Sequence, residues 1–418
     1  MRSGLDYKFV EGYSLDRQQI ESIENDSQNT LVIAGAGTGK TTTIIGKIKW
    51  ILNKWLKNKS KTLPRILIIS FTHATRVELE KRVLAEVLEN DEIFKIYHPS
   101  DFLRVETFHS LALKIMKSAR QNKRARPEKI RLSEVSFEDF LKQARFNIPE
   151  EEAEVYDRLY YLMRNYHIEY QDLKQINNTE YSWFWQKDLW LKNLKQIQKM
   201  EELGREYKKE MTSRSEVDFV SFLEEAINSL TSIKNSARPE WFKIFCFNFV
   251  IIDEYQDISP LEYALIRNLR EKQNFKLFCV GDDWQTIYQF AGSEIDLILD
   301  FKKYWGETKI FKIERTYRFP EQLAKTSGKF IMRNKTQLIK DIQGINCRDP
   351  DQIVEINGPS ERTDLNSLRF FFLNLPRNTR VFLLGRYNFD IKKISHCEFL
   401  NFNYETNEPR ILMPERPD

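Results

Sequence analysis

Thr30-Leu31-Val32-Ile33-Ala34-Gly35-Ala36-Gly37-Thr38-Gly39-Lys40-Thr41-Thr42 places an apolar strand pattern directly before a glycine-rich turn, a lysine and two hydroxyls. Gly35, Gly37 and Gly39 carry no Cβ, so a tight loop can turn its backbone N–H groups inward onto anionic oxygens. Lys40 then reaches the β- and γ-phosphates of a nucleoside triphosphate and Thr41 offers its hydroxyl to Mg²⁺. The helix beginning here aims its positive end at the same charge. Ile44, Ile45, Ile48, Ile51 and Leu52 follow at helical spacing. Strand, loop and helix together separate a phosphate cradle from a chance glycine turn.

A cradle of this kind needs carboxylates to complete a metal site. Phe247-Asn248-Phe249-Val250-Ile251-Ile252-Asp253-Glu254 supplies two, at the end of a second buried-strand pattern. Asp253 is placed to hold Mg²⁺ through its water shell, and Glu254 to polarise the attacking water.

The chain has 418 residues, enough for two to three domains with their own cores. Its apolar runs are strand-sized, and Met1-Arg2-Ser3-Gly4-Leu5-Asp6-Tyr7-Lys8 lacks the apolar core of a secretory signal, so no membrane partner is expected. Four cysteines without paired spacing and five dispersed histidines suggest neither a disulfide framework nor a zinc site. A reducing, cytoplasmic setting is the expectation.

The net charge is only +4, but basic residues concentrate in Lys114, Lys117, Arg120, Lys123, Arg124, Arg126, Lys129 and Arg131, just before an acidic stretch. Such a block is either a solvated helix face or a contact for a phosphodiester backbone. Between about 121 and 245 helical periodicities dominate, with Trp183, Phe184, Trp185 and Trp190 read as packing residues of a helical insertion. On either side of it strands alternate with helices: Leu31 to Ile33, Ile66 to Ser70, Arg104 to Thr107, Phe247 to Ile252 and Lys276 to Val280. That alternation predicts an α/β fold, a parallel sheet covered on both faces with the ligand at the carboxyl ends of its strands. Five polar loops should converge on that edge. Ile353 to Ile356 and Val381 to Leu384 read as the opening of a second α/β domain.

With these segments in hand, the sequence resembles the UvrD/Rep group of superfamily 1 helicases. Val280-Gly281-Asp282-Asp283-Trp284-Gln285-Thr286-Ile287-Tyr288 is worded most like its bacterial helicase IV branch. Leu15-Asp16-Arg17-Gln18-Gln19 is similar to the Q-motif, which implies that Gln19 reads the adenine edge. Ala34 to Thr41 matches Walker A, Ser70-Phe71-Thr72 motif Ia and Thr107 to Ser110 motif Ib. Asp253 to Asp257 matches motif II, Gln285 closes motif III as the γ-phosphate sensor, and Glu314-Arg315-Thr316-Tyr317-Arg318 matches motif IV. There the resemblance implies base stacking by Tyr317 and an arginine finger at Arg318. For nucleic acid it implies contacts from Phe71, Thr107, His109, Tyr288 and Phe290.

The resemblance implies a RecA-like P-loop NTPase: domain 1A over 1–120 and 245–312, a helical 1B insertion over 121–244, and the start of a RecA-like domain 2A over 313–418. The chain has His73-Ala74 where the family often has Asn-Lys, and Phe290-Ala291 where UvrD has Trp-Arg. It reaches Asp418 without motifs V and VI, as an N-terminal fragment or a natural truncation would. The implied activity is an ATP- and Mg²⁺-dependent DNA helicase, 3′-to-5′ by family, acting on single-stranded or tailed duplex DNA. The alternative is an ATP- and single-strand-binding module with little turnover.

Overall fold

A computed structural model describes residues 6–58, 62–88, 97–122, 131–143, 145–146, 148–168, 184–234, 238–287 and 292–345, the first turns of the helix at 184 by backbone alone. Six strands form one parallel sheet: β1 Asn29–Ala34, β2 Ile66–Ile69, β3 Leu103–Glu106, β4 Phe249–Ile252, β5 Lys276–Gly281 and β6 Lys309–Ile313. Their spatial order is β6-β1-β5-β4-β2-β3. All five segments expected as strands are present. β6 was not foreseen, and it extends the sheet beyond β1.

Successive side chains on a strand point to opposite faces, and the cores divide accordingly. Val32, Ile66, Ile68, Ile251, Phe278 and Val280 pack on one face, beneath α1 (Arg17–Glu24), α2 (Lys40–Lys57) and α3 (His73–Leu88). Leu31, Ile33, Leu67, Ile69, Val250, Ile252 and Leu277 pack on the other, which α4 (Phe108–Asn122) begins to cover. Both faces are dry, so the central strands read as continuous apolar runs.

After α4 the chain makes its helical excursion, with α5 (Glu150–Tyr166) and α6 (Phe184–Ser213) around a separate core of Phe137, Phe140, Tyr156, Tyr160, Met200 and Tyr207. The rings of Phe137 and Tyr160 lie 4.2 Å apart. Trp183 lies outside the described residues, as do the side chains of Phe184, Trp185 and Trp190. α7 (Phe219–Thr231) and α8 (Pro260–Lys272) complete the second face of the sheet. Although α7 falls inside the expected insertion, its stripe of Val220, Leu223, Ala226 and Leu230 belongs to the sheet core. Arg164 at the end of α5 ties the excursion to α7, donating to Asp218 at 2.6 Å, Ser221 at 2.9 Å and Glu224 at 2.8 Å.

Beyond β6 the chain leaves the sheet. β7 (Arg315–Pro320) pairs in parallel with β8 (Gln343–Ile345), with α9 (Glu321–Ile331) between them in sequence. The apolar runs at 353–356 and 381–384 lie outside the described residues. Among the described residues no helix is long and apolar enough to cross a membrane.

α2 is anchored from below by a buried lysine. Lys47 Nζ donates to the carbonyls of Ile23 at 2.8 Å and Asn25 at 2.5 Å, and lies 4.0 Å from the Trp50 ring centre. Burial pushes its pKa down from 10.5 to about 7, against the pull of Asp26. A neutral amine still has two N–H groups for the two carbonyls. With the folded pKa below the unfolded one, this group's contribution to stability is complete above pH 10.5 and is lost as pH falls towards 7. Urea unfolding should therefore show the native protein gaining stability over Lys47→Met as pH rises above 7, by up to about 1.4 kcal/mol per unit. A difference that stays flat with pH would mean that the ammonium persists in the fold.

Candidate nucleotide-binding site

The turn after β1 has the backbone that its glycines promised. Gly37 and Gly39 sit at φ 73° and 85°, in the left-handed region. A Cβ at Gly37 would lie 2.3 Å from Arg318 Cβ and 2.7 Å from Thr316 Oγ1, so conformation and space both demand glycine. Thr38 donates to the carbonyl of Gly35 through N at 3.3 Å and through Oγ1 at 2.8 Å. Gly39 caps α2, and Lys40, Thr41 and Thr42 form its first turn.

Gln19 braces this loop from α1. Its Oε1 accepts from the Asp16 backbone at 2.9 Å and its Nε2 donates to the Thr38 carbonyl at 3.2 Å. Both ends of the amide are thus engaged within the protein. Tyr317, 48% exposed, donates from its hydroxyl to Asp16 Oδ2 at 3.3 Å and so stands beside the same corner.

The acidic pair leaves β4 two strands away. Asp253 donates its backbone N–H to the Ile69 carbonyl at 2.9 Å and accepts from the Glu254 N–H at 3.0 Å. Glu254 adopts φ 49°, ψ 48°, a conformation that costs a residue with a Cβ about 1 kcal/mol or more. The strain turns its carboxylate across to the cradle, where Glu254 Oε2 meets Lys40 Nζ at 2.8 Å. Burial, followed by the neighbouring charge of Glu254, pushes the Asp253 carboxyl up to about 7, with Lys40 opposing. Asp257 is pushed up to about 6, again by burial first and Glu254 second. Asp253 and Asp257 thus cluster with Glu254 as hard oxygen groups at the end of β4, with Lys40 the cation opposing their charge.

Gln256 stitches the acids to the next strand. Its Nε2 donates to Glu254 at 3.0 Å and Asp257 at 3.1 Å, and its Oε1 accepts from the Asp282 backbone at 2.9 Å. Gln285, at the end of a 3₁₀ turn, donates from Nε2 to Asp282 Oδ2 at 2.5 Å.

From the other side β7 clasps the phosphate loop. Thr316 Oγ1 donates to the Ala36 carbonyl at 2.8 Å and Tyr317 N to the Gly37 carbonyl at 3.0 Å. Glu314 N donates to Gln18 Oε1 at 2.9 Å. Arg318 is exposed beside Gly37. Lys40, Glu254, Gln285 and the strand carrying Arg318 therefore gather at the carboxyl edge of the sheet, with Ala34 ending β1 beneath them.

The residues expected to touch nucleic acid fare less uniformly. Phe71 lies half-buried in the turn after β2. Thr107 Oγ1 accepts from Ser110 N at 3.1 Å and Ser110 Oγ from Thr107 N at 2.9 Å, a capping pair for α4. The His109 ring packs edge-on against Phe219 at 5.2 Å, and burial lowers its proton affinity, leaving it neutral at pH 7. Tyr288 and Phe290 lie outside the described residues. Within the basic block Lys114 pairs with Glu106, and Arg120 grips Glu225 at 2.5 and 2.6 Å. These two cations are neutralised internally, whereas Lys117 and Arg131 are exposed; residues 123–126 and 129 lie outside the described residues.

Sequence reading missed Gln256, Asp282, Thr316 and Lys340 as site-building residues. The first three lie inside quoted motifs, where more prominent neighbours carried the chemistry. Lys340 has no local signature.

Comparison with known proteins agrees with this geometry. Residues 15–305 match the model of the UvrD/REP helicase N-terminal domain. The chain is 26% identical over 417 residues to DNA helicase IV of Escherichia coli K12, covering 91% of this chain and 56% of that protein. It is 24% identical over 358 residues to the ATP-dependent DNA helicase PcrA of Staphylococcus epidermidis RP62A, covering 84% and 44%. Against the ATP-dependent DNA helicase Rep of Buchnera aphidicola the figures are 27% over 337 residues, 79% and 47%. The chain spans about half the length of the curated relatives it matches. With the phosphate loop, the acidic pair and the third motif gathered on one parallel sheet, the chain belongs to the UvrD/Rep helicase family.

Proposed function

We propose that this chain is the nucleotide-binding motor part of an ATP-dependent DNA helicase that moves 3′-to-5′ on single-stranded DNA and separates tailed duplexes. The observation that carries the reading is the 2.8 Å ion pair of Lys40 and Glu254, which places the phosphate-binding cation and the candidate general base in one contact. Domain 1A over 1–120 and 245–312, 1B over 121–244 and the start of 2A from 313 is the accompanying division, and the cytoplasm the accompanying compartment. Free Cys246 and Cys279 support a reducing environment.

The two members of the pair exchange partners during the reaction. Lys40 leaves Glu254 for the β- and γ-phosphate oxygens, and the released carboxylate orients and polarises the attacking water. Thr41 and Asp253 would hold Mg²⁺, which when bound would neutralise charge on the phosphates. Gln285 senses the γ-phosphate and Arg318 faces the charge that develops on it. Gln19 and Tyr317 flank the base, Gln19 after releasing one of its two internal hydrogen bonds. Phe71, Thr107, Tyr288 and Phe290 remain the candidates for a single strand laid across the loops. His109 is a weaker one, since a neutral ring packed on Phe219 brings no cation to a phosphate.

Lys40→Ala should weaken Mg·ATP binding at least about tenfold, because a charge-assisted contact is worth roughly 1.5 to 3 kcal/mol and the orphaned Glu254 then faces the phosphates. Equal affinities in a calorimetric titration would sink the phosphate-cradle assignment.

Glu254→Gln removes a carboxylate that competes for Lys40, so this variant should bind ATP as tightly as the native protein or more tightly. Its turnover in the presence of single-stranded DNA should fall by about 10² to 10⁴. Native turnover from the variant would strip Glu254 of the base role, and weaker binding would contradict the exchange of partners.

A further inference from the structure

Lys340 is a fully buried cation near the site, and the reaction as described makes no use of it. Its side chain is 0% exposed, and its Nζ meets two adjacent carboxylates, Asp282 Oδ1 and, at 2.6 Å, Asp283 Oδ1, themselves 2% and 0% exposed. The Trp284 ring covers the ammonium at 4.5 Å, and Trp284 Nε1 donates to the Leu338 carbonyl at 3.0 Å. Leu338 N in turn donates to Asp283 Oδ2 at 2.7 Å. Lys340 thus comes from the segment between α9 and β8 and plugs into the turn that follows β5.

The two oxygens of Asp282 have separate duties. Oδ1 accepts from Lys340 and from Trp284 N, while Oδ2 accepts from Gln285 Nε2. Gln285 is therefore aimed by a carboxylate that a buried lysine holds in place. Without that ammonium, two neighbouring buried carboxylates would face each other unpaired. One would swing away from the other. That movement alters the acceptor on which the Gln285 amide rests.

We propose that Lys340 is a positioning residue for Gln285: by locking Asp282, it sets how well the site tells a nucleoside triphosphate from a diphosphate, and it makes that discrimination depend on docking of the 334–345 segment. This rests on the reading of Gln285 as the γ-phosphate sensor. The cluster reaches Lys40 only through the Asp282 backbone N–H and Gln256, a link that does not use the Asp282 carboxylate, so the β-phosphate contacts should not feel the loss of Lys340.

The test is calorimetric titration of the whole chain with Mg·ATP and with Mg·ADP. Lys340→Met should lose about tenfold in ATP affinity, the worth of one well-aimed polar contact, while ADP affinity stays within about twofold. In a Gln285→Ala background the same substitution should leave the ATP-to-ADP ratio unchanged, because the two act as one unit. Should Lys340→Met fail to fold, Asp282→Asn serves instead. Its carboxamide oxygen satisfies Lys340 and Trp284 N, which turns its NH₂ onto the Gln285 amide and should give the same selective loss. Equal decline for both nucleotides, or a full further loss in the Gln285→Ala background, would reduce Lys340 to a structural residue and overturn the proposal. A native protein that binds ATP and ADP equally would instead refute the sensing premise and the proposal with it.

Discussion

The contact between Lys40 and Glu254 is the constraint around which the rest of this structure is arranged. It joins the loop after β1 to the loop after β4 across the intervening strand β5, and only a parallel sheet with its strand ends level can bring those loops together. The register does this directly: Ile33 lies beside Gly281, and Ile252 beside Cys279. Glu254 accepts a strained backbone to make the contact, and the Gly37 and Gly39 turns place the lysine to receive it. Because the glutamate remains 34% exposed, solvent screens the pair and keeps it weak. A tighter, fully buried pair would hold the site shut.

A second layer of order runs from the far end of the described chain. Lys340 holds Asp282, the Asp282 backbone donates to Gln256, Gln256 donates to Glu254, and Glu254 meets Lys40. With Thr316 and Tyr317 bonded to the phosphate loop itself, the segment beyond β6 touches the cradle by two routes. Motion of that segment is therefore felt both at the loop and at the acids. Such a clasp couples the segment beyond β6 to the loop and the acids together.

The cradle, the acidic pair and five of the six strands were legible in the sequence because each rests on a local rule. Glycines at 35, 37 and 39 announce a loop, and strands buried on both faces announce themselves as apolar runs. Lys309-Ile310-Phe311-Lys312-Ile313 escaped notice because at the edge of the sheet three of its five residues are exposed and no continuous apolar run marks it. α7 was assigned to the insertion by its place in the chain, whereas its apolar stripe decides that it packs on the sheet. The edge-on contact of His109 with Phe219, a residue far along the chain, had no local signature. Lys340 was invisible for the same reason: a lone lysine acquires its meaning only from two aspartates brought to it by folding.

The strand order also dictates when the phosphate loop can come into being. β2 and β3 can pair as soon as the first hundred or so residues exist, but β1 pairs only with β5 and β6, which lie beyond residue 275. On the ribosome the strand bearing the loop waits with both edges open while α4, the helical excursion and β4 are made. Closing so long a connection is slow, and an unpaired apolar strand is a template for association with other chains. The cradle is thus a late product of folding, and a chain released before Gly281 would carry the full glycine-rich sequence with no ladder to shape it.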